Sequence, residues 1–341
     1  MDPEPRVNPS TPPKAPPAQR ARLAVFSVVF VALVALGIAW AAPHADELAT
    51  AGARFRALPP PVIVLLAVLA IAGFPVEMLR FATFARLVGV RIGWRAALET
   101  TIANHFFSWI MPGPSIGEPV AVYVLVRYGV PLEEAALLTF AKLLSSMAFI
   151  FGITFALIVA GLGPPLPSWV AISLAAAAGT AALLVSIMLL GGARPKAATA
   201  IVDRIPSKWL ATRMRRSIER IAAAKIGVRG GLAAMGVHAL YYAVFMAPLV
   251  TLAVALGARL GPATTAAVVY QGTIYLAPTP GGAGFGEATA NLFFGALLSP
   301  ASAFVVVLVF RALTYYLHIA VGFVALPFSR ALGDFLRGRA A

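Results

Sequence analysis

Long apolar runs alternate with short basic or proline- and glycine-rich segments along the 341-residue chain. An apolar run of about 18 residues or more is long enough to cross a bilayer as a helix. Six runs meet this length and predict six full spans: Leu23–Ala42, Pro61–Met78, Ala136–Leu162, Ser168–Leu190, Gly231–Gly257 and Ala301–Phe328. The pattern therefore predicts an all-α integral membrane protein.

Two pairs of shorter apolar segments are each interrupted by proline and glycine. The first pair surrounds Met111–Glu118, and the second surrounds Pro278–Glu287. Non-helical backbone at membrane depth is tolerated only inside protein or beside a wet cavity. We therefore predict two re-entrant helical hairpins, over residues 96–127 and 262–298.

Composition agrees with a membrane protein. The chain is 60% hydrophobic and only 12% charged, with a mean hydropathy of +0.87, whereas soluble domains carry about 25% charged residues. The net charge is +14, but the basic residues form no soluble module with interleaved aromatics, which argues against nucleic-acid binding. The absence of cysteine excludes disulfides and thiol catalysis.

The basic residues predict the orientation, because cytoplasmic loops collect Lys and Arg. The clusters in 80–95, 194–230 and 329–341 are expected inside, and the charge-free turn 163–167 outside. Both termini are then cytoplasmic in a bacterial inner membrane. The hairpins enter from opposite faces, as in transporters built from inverted repeats.

The same reasoning divides the chain into five parts. We expect a proline-rich, disordered N-terminus at 1–21. The membrane halves are 22–193 and 231–328. Between them, 194–230 is expected to form a basic cytoplasmic helix in contact with anionic lipid headgroups, and 329–341 is a basic tail.

An internal repeat supports this division. An offset of 169 residues places Gly113 on Gly282, Gly117 on Gly286, Glu118 on Glu287 and Lys142 on Arg311. Each half therefore has a carboxylate followed 24 residues later by a cation within an apolar span.

Charges at membrane depth are costly and usually pair or face water. We therefore expect Glu118, Lys142, Glu287 and Arg311 to converge on one central polar site that binds the transported molecule. The alternative is that they form structural ion pairs holding the hairpins. Four glycines would shape the second hairpin and offer backbone N–H groups to an anion such as a lipid phosphate: Gly281, Gly282, Gly284 and Gly286. Tyrosine pairs, including Tyr315, could line the site or pack.

Other chemistry is less well supported. Ser115 and His238 could form an intramembrane protease pair, but the repeat places a glycine opposite Ser115, which indicates turn geometry. The histidines lack metal-ligand spacing, and the glycine-rich segment lacks the ending of a nucleotide-binding loop, so no metal or other cofactor is expected. Glu77 and Glu99 could relay a proton, although solvation at headgroup level is the favoured interpretation.

The second half resembles a known signature. Pro280-Gly-Gly-x-Gly-x-Gly-Glu287, followed by Arg311-Ala-Leu-Thr-Tyr-Tyr316, is similar to the lysylphosphatidylglycerol synthase transmembrane (flippase-like) family, which includes the membrane half of multiple peptide resistance factors. The first half matches at Arg80, Leu87–Gly89, Pro112-Gly113, Gly117-Glu118 and Arg127–Gly129. The resemblance covers about residues 20–330.

The resemblance implies a lipid flippase, because this region of fused members resembles one that moves aminoacylated phosphatidylglycerol made by a soluble synthase domain. The chain ends at Ala341, so we expect a transport protein rather than an aminoacyl-transferring enzyme. Two departures from relatives, Pro119–Ala121 and Ala141-Lys142, bear on headgroup preference. The alternative function is a membrane subunit that binds a lipid or polyprenyl-linked sugar for a separate transferase. A homo-oligomer or a partner enzyme is compatible with either function.

Overall fold

The computed structural model describes residues 45–111, 117–162, 168–193, 195–204, 228–277 and 281–325, with isolated positions 211, 212, 215, 219, 222, 279, 328 and 329. Regular structure in these parts of the chain is helical. The helices are α1 Ala45–Arg56, α2 Pro60–Leu87, α3 Trp94–Ile110, α4 Gly117–Arg127, α5 Leu132–Val159, α6 Ser168–Ala193, α7 Pro195–Val202, α8 Val228–Ala255, α9 Leu260–Ile274, α10 Phe285–Gly295, α11 Pro300–Arg311 and α12 Leu317–Ala325. A π-helical turn, Ala312–Tyr316, joins α11 to α12.

Four of the helical segments are long and apolar enough to cross a membrane: Pro60–Leu87, Leu132–Val159, Arg229–Ala255 and Pro300–Ala325. They correspond to four of the six predicted spans. A fifth predicted span is the helix α6, within which Val170–Leu183 forms a shorter apolar segment. The sixth, Leu23–Ala42, lies outside the described residues. The protein is thus an all-helical membrane protein.

Helix α2 continues beyond the predicted end of the second span. We expected this span to stop at Met78, before the charge of Arg80, but α2 continues to Leu87. The continuation is possible because Glu77 lies one turn before Arg80 on the same helix face and neutralises its charge. The short helix α1 was not predicted; it packs against α11 through Ala51, Ala301 and Phe304.

The second half repeats the helices of the first. The offset of 169 carries the bounds of α2 onto 229–256, where α8 lies, and those of α4 onto 286–296, where α10 lies. It carries α5 onto 301–328, and α11, the π-helical turn and α12 occupy this range as far as Ala325. The packing repeats as well: α2 contacts α3 and α5 in one half, and α8 contacts α9 and α11 in the other.

Each half contributes a helix that packs against the hairpin of the other half. Helix α5 contacts α9, and in return α12 contacts α3, while α2 packs along α8. In the α2–α8 pair, the Arg80 guanidinium lies 3.9 Å from the centre of the Tyr241 ring, and the rings of Phe84 and His238 are 5.2 Å apart. A later residue of α2 meets an earlier residue of α8, so these equivalent helices run antiparallel.

Both hairpins consist of short helices. Helices α4 and α10 have 11 residues each, which gives a length of about 17 Å at 1.5 Å per residue. A bilayer core is roughly 30 Å thick, so neither helix spans it alone. Helix α3 packs on α4, and α9 packs on α10. The connection 112–116 of the first hairpin, which includes Gly113 and Ser115, lies outside the described residues.

Candidate functional site

A polar cavity of about 80 Å³ lies where the two halves meet. A water molecule needs about 10–15 Å³ by this measure, so the cavity has room for several waters. Its wall combines α2, α3, α4 and α5 of the first half with α8, α9 and the second hairpin. The polar and aromatic residues of the wall are Glu77, Arg80, Asn104, His105, Ser108, Trp109, Glu118, Lys142, Ser146, Tyr241, Phe245, Gln271 and Tyr275.

Four charged side chains form a chain of alternating sign in this wall. Arg80 Nη1 lies 2.8 Å from Glu77 Oε2. Lys142 Nζ donates to Glu77 Oε1 at 3.0 Å and to Glu118 Oε1 at 3.2 Å. The four residues are 1–5% exposed. Two cations and two carboxylates therefore balance within a region that water hardly reaches.

The helices explain why these side chains meet. Glu77 and Arg80 are one turn apart on α2, and Glu118 lies in the first turn of α4, where the helix dipole favours a carboxylate. Lys142 comes from α5 and bridges the two carboxylates. Arg80 also donates to Ser146 Oγ at 3.2 Å. Each charge has a partner from its own helix or from an adjacent one, which makes its burial tolerable.

Several polar atoms in the cavity wall have no hydrogen-bond partner among the described residues. They are Asn104 Nδ2, His105 Nε2, Trp109 Nε1, Glu118 Oε2 and Arg80 Nε. Buried polar atoms normally find a partner, and an unpaired one is destabilising. The residues that carry these atoms line the cavity, so water or a ligand in the cavity is the partner available to them.

The second half contains the equivalent ion pair. Arg311 Nε donates to Glu287 Oε1 at 2.8 Å, and Arg311 Nη1 donates to the Gly281 carbonyl at 3.0 Å. Glu287 Oε2 accepts from the Gly284 N–H at 2.8 Å. Gly284 has a φ of +76°, a region that favours glycine. This pair therefore ties α11 to the glycine-rich turn before α10.

The structure places the four predicted charges in two adjacent pairs. Glu118 and Lys142 line the cavity together with Gly281 and Gly282, while Glu287 and Arg311 are outside its lining. Gly284 and Gly286 are also outside the lining; Gly284 begins α10 and Gly286 lies in its first turn.

Gly281 lies in close contact with Trp109 at the end of α3. A Cβ atom at Gly281 would lie 2.3 Å from the Tyr315 ring and 2.7 Å from the Trp109 carbonyl oxygen. The Trp109 and Tyr315 rings are 5.4 Å apart, edge to face. Tyr315 thus packs against Gly281 and Trp109, and the Arg311 guanidinium lies 4.1 Å from its ring centre.

Two carboxylates predicted at headgroup level differ from each other in the structure. Glu77 is 1% exposed and belongs to the charge network, so its predicted solvation is wrong. Glu99 accepts from Tyr128 at 2.7 Å and from Ser329 at 2.6 Å, outside the cavity lining. Partial burial and the Glu99 carboxylate raise the pKa of Tyr128 to about 12.

Arg80 is a second cavity residue whose position differs from the one that the sequence predicts. We counted it among cytoplasmic charges, whereas it is 3% exposed and lies inside the helix bundle. The available signal was the Glu77–Arg80 spacing of three residues, which pairs opposite charges on one helix face.

The three histidines among the described residues, His105, His238 and His318, pack against neighbours. His238 contacts Ser145 at 2.8 Å, and His105 packs against His318 with ring centres 4.5 Å apart. Ser115 lies outside the described residues, so the protease pairing with His238, which the sequence disfavours, stays untested. Within the described residues, no group of three potential metal ligands occurs.

Comparison with known proteins agrees with the signature seen in the sequence. The model of a family described as the lysylphosphatidylglycerol synthase TM region matches residues 24–322. No curated protein matches the chain. The match covers most of the 341 residues, and the helices that carry the cavity lie within it. The chain therefore belongs to the lysylphosphatidylglycerol synthase transmembrane-region family, as its sequence signature indicates, and is a lipid-related membrane protein.

Proposed function

We propose that this protein moves a phospholipid headgroup across the bacterial inner membrane while the acyl chains remain in lipid. The observation that carries the proposal is the charged cavity, to which both halves contribute. Lys142 and Arg80 supply cations, and Gly281 and Gly282 supply backbone from the opposite half. A buried cavity with unpaired donors is suited to a phosphate group. In this proposal the protein is a transporter rather than an enzyme.

The repeat supports transport over simple binding. Helices α2 and α8 are equivalent by sequence offset and pack antiparallel. Transporters with inverted repeats place their site between the repeats and expose it alternately to each side. We propose the same arrangement here, with six full spans, two re-entrant hairpins formed by α3–α4 and α9–α10, and both termini in the cytoplasm.

The linker 194–230 would lie on the cytoplasmic surface next to anionic headgroups. In its described part, Arg215 pairs with Asp203, and both side chains are about half exposed. The lipid surface is thus proposed as a partner of the linker, separate from the lipid in the cavity.

Cysteine accessibility tests translocation, because the chain has no native cysteine. Gln271 lines the cavity and is 6% exposed. We expect Gln271→Cys to react with a membrane-impermeant thiol reagent from both sides of oriented vesicles. Arg204→Cys, at an exposed linker position, is the control and should react from the cytoplasmic side alone.

Reaction of Gln271→Cys from one side only would contradict translocation. That outcome would favour the alternative function, a lipid-binding subunit that serves a separate transferase. Addition of the transported lipid should slow the reaction, since the headgroup and the reagent would compete for the same cavity.

A further inference from the structure

The charges that line the cavity already balance. Arg80 and Lys142 contribute two positive charges, and Glu77 and Glu118 contribute two negative charges. Three ion pairs of 2.8–3.2 Å connect them in one chain. A ligand that brings net charge into such a site stays uncompensated, and an uncompensated charge is expensive in a poorly solvated interior.

The unpaired atoms of the wall include both hydrogen-bond donors and a hydrogen-bond acceptor. Among the described residues, Asn104 Nδ2 and Trp109 Nε1 are donors without an acceptor, and Glu118 Oε2 is a carboxylate oxygen without a donor. Asn104 and Glu118 are only 6% and 5% exposed. A phosphate can satisfy the donors, whereas Glu118 Oε2 needs an N–H or O–H donor.

We propose that the cavity selects a zwitterionic headgroup, with one phosphate and one ammonium group and a net charge of zero. This inference rests on the proposed function. The phosphate accepts from Asn104 and Trp109, and the ammonium donates to Glu118 Oε2. The ligand charges cancel each other, and each polar end meets an unpaired atom of the opposite hydrogen-bonding type.

The inference distinguishes three kinds of headgroup. Phosphatidylglycerol carries a phosphate without an ammonium and leaves Glu118 Oε2 to an uncharged hydroxyl. Lysylphosphatidylglycerol carries one phosphate and two ammonium groups, so it brings a net positive charge. Phosphatidylethanolamine has one of each and matches the cavity.

Headgroup exchange in proteoliposomes tests the inference. Purified protein is reconstituted with trace phospholipids that carry a fluorophore on an acyl chain, and exchange between leaflets is followed by chemical quenching from outside. The probes are phosphatidylethanolamine, its N-acetylated derivative, phosphatidylglycerol and lysylphosphatidylglycerol. N-acetylation removes the ammonium and leaves the rest of the lipid unchanged.

We expect phosphatidylethanolamine to exchange at least tenfold faster than the other three probes. Equal rates, or faster exchange of phosphatidylglycerol or lysylphosphatidylglycerol, would overturn the zwitterion inference while translocation itself stands. Exchange of none of the four probes by folded protein would contradict the proposed function and, with it, this inference. The comparison of the four probes with wild-type protein therefore tests the zwitterion inference without any variant.

A matched pair of variants then identifies the ammonium contact. Glu118→Gln removes the carboxylate charge in the cavity, and Glu99→Gln makes the same change on α3, outside the cavity lining. The ratio of phosphatidylethanolamine to N-acetylated exchange should fall about tenfold in Glu118→Gln and stay unchanged in Glu99→Gln. An unchanged ratio in folded Glu118→Gln would exclude this residue as the ammonium partner, whatever its effect on the absolute rates.

Discussion

Replacing Arg311 should destabilise the protein strongly. The Arg311→Gln variant loses the 2.8 Å ion pair with Glu287 and the 3.0 Å hydrogen bond to the Gly281 carbonyl. Glu287 is 2% exposed and would remain as an unpaired buried carboxylate. Removal of one partner of a buried ion pair typically costs about 3–5 kcal/mol.

Protonation of the unpaired Glu287 carboxylate limits this loss of stability. Protonating a glutamate at pH 7 costs roughly 3.7 kcal/mol, given a reference pKa of about 4.3. The Gly284 N–H, which donates to Glu287 at 2.8 Å, also remains in place. We therefore expect the free energy of unfolding to fall by about 3–4 kcal/mol.

Equilibrium unfolding in mixed detergent micelles measures this loss. The double variant Glu287→Gln/Arg311→Gln removes the stranded charge and should recover at least half of the stability lost by Arg311→Gln, because two neutral side chains need no ion pair. A loss below about 1 kcal/mol in the single variant would refute the assignment of a buried ion pair, as would a double variant less stable than the single one.

The same double variant distinguishes a structural role of the Glu287–Arg311 pair from a direct role in transport. Glu287 and Arg311 lie outside the cavity lining and tie the second hairpin to α11. We therefore expect the folded double variant to retain at least half of the wild-type lipid exchange. Complete loss of exchange in folded protein would show that the pair takes part in transport directly.

Further predictions concern the first hairpin and its surroundings. Gly117→Ala should abolish folding or cost several kcal/mol, because the new Cβ would lie 2.3 Å from a backbone carbonyl oxygen of α3. Gly286→Ala, at the equivalent repeat position, should cost less, since its Cβ meets a flexible isoleucine methyl group at 2.9 Å; thermal unfolding of both variants in detergent compares them, and equal losses would contradict the expected order. Tyr128→Phe removes the 2.7 Å hydrogen bond to Glu99 and should lower stability by about 1 kcal/mol, measured by the same thermal unfolding; an unchanged melting temperature would show that the bond contributes nothing.

The repeat offset predicted part of the site. It identified a carboxylate and a cation 24 residues apart in each half, and the structure pairs Glu118 with Lys142 and Glu287 with Arg311. A charge inside an apolar span needs a partner, and the repeat limits where that partner can be. The pairing of charges within each half was accessible from sequence for this reason.

The position of the cavity could not be predicted from the sequence. Arg80 ends an apolar run, so hydropathy places it in the cytoplasm, and only the packing of α2 against α5 and α8 shows that it is buried. Gly281 and Gly282 line the cavity, whereas Glu287 and Arg311 do not. Sequence patterns report which residues are charged, but not which backbone segment lies between them.

The role of the cavity in lipid movement is tested most directly by one comparison of lipid exchange. Wild type, Lys142→Met and the exposed-site control Arg204→Gln are reconstituted at equal protein content with fluorescent phosphatidylethanolamine. Lys142 joins both cavity carboxylates, so we expect exchange by wild type and Arg204→Gln and at least a tenfold slower rate for Lys142→Met. Exchange by folded Lys142→Met at the wild-type rate would contradict a headgroup path through this cavity.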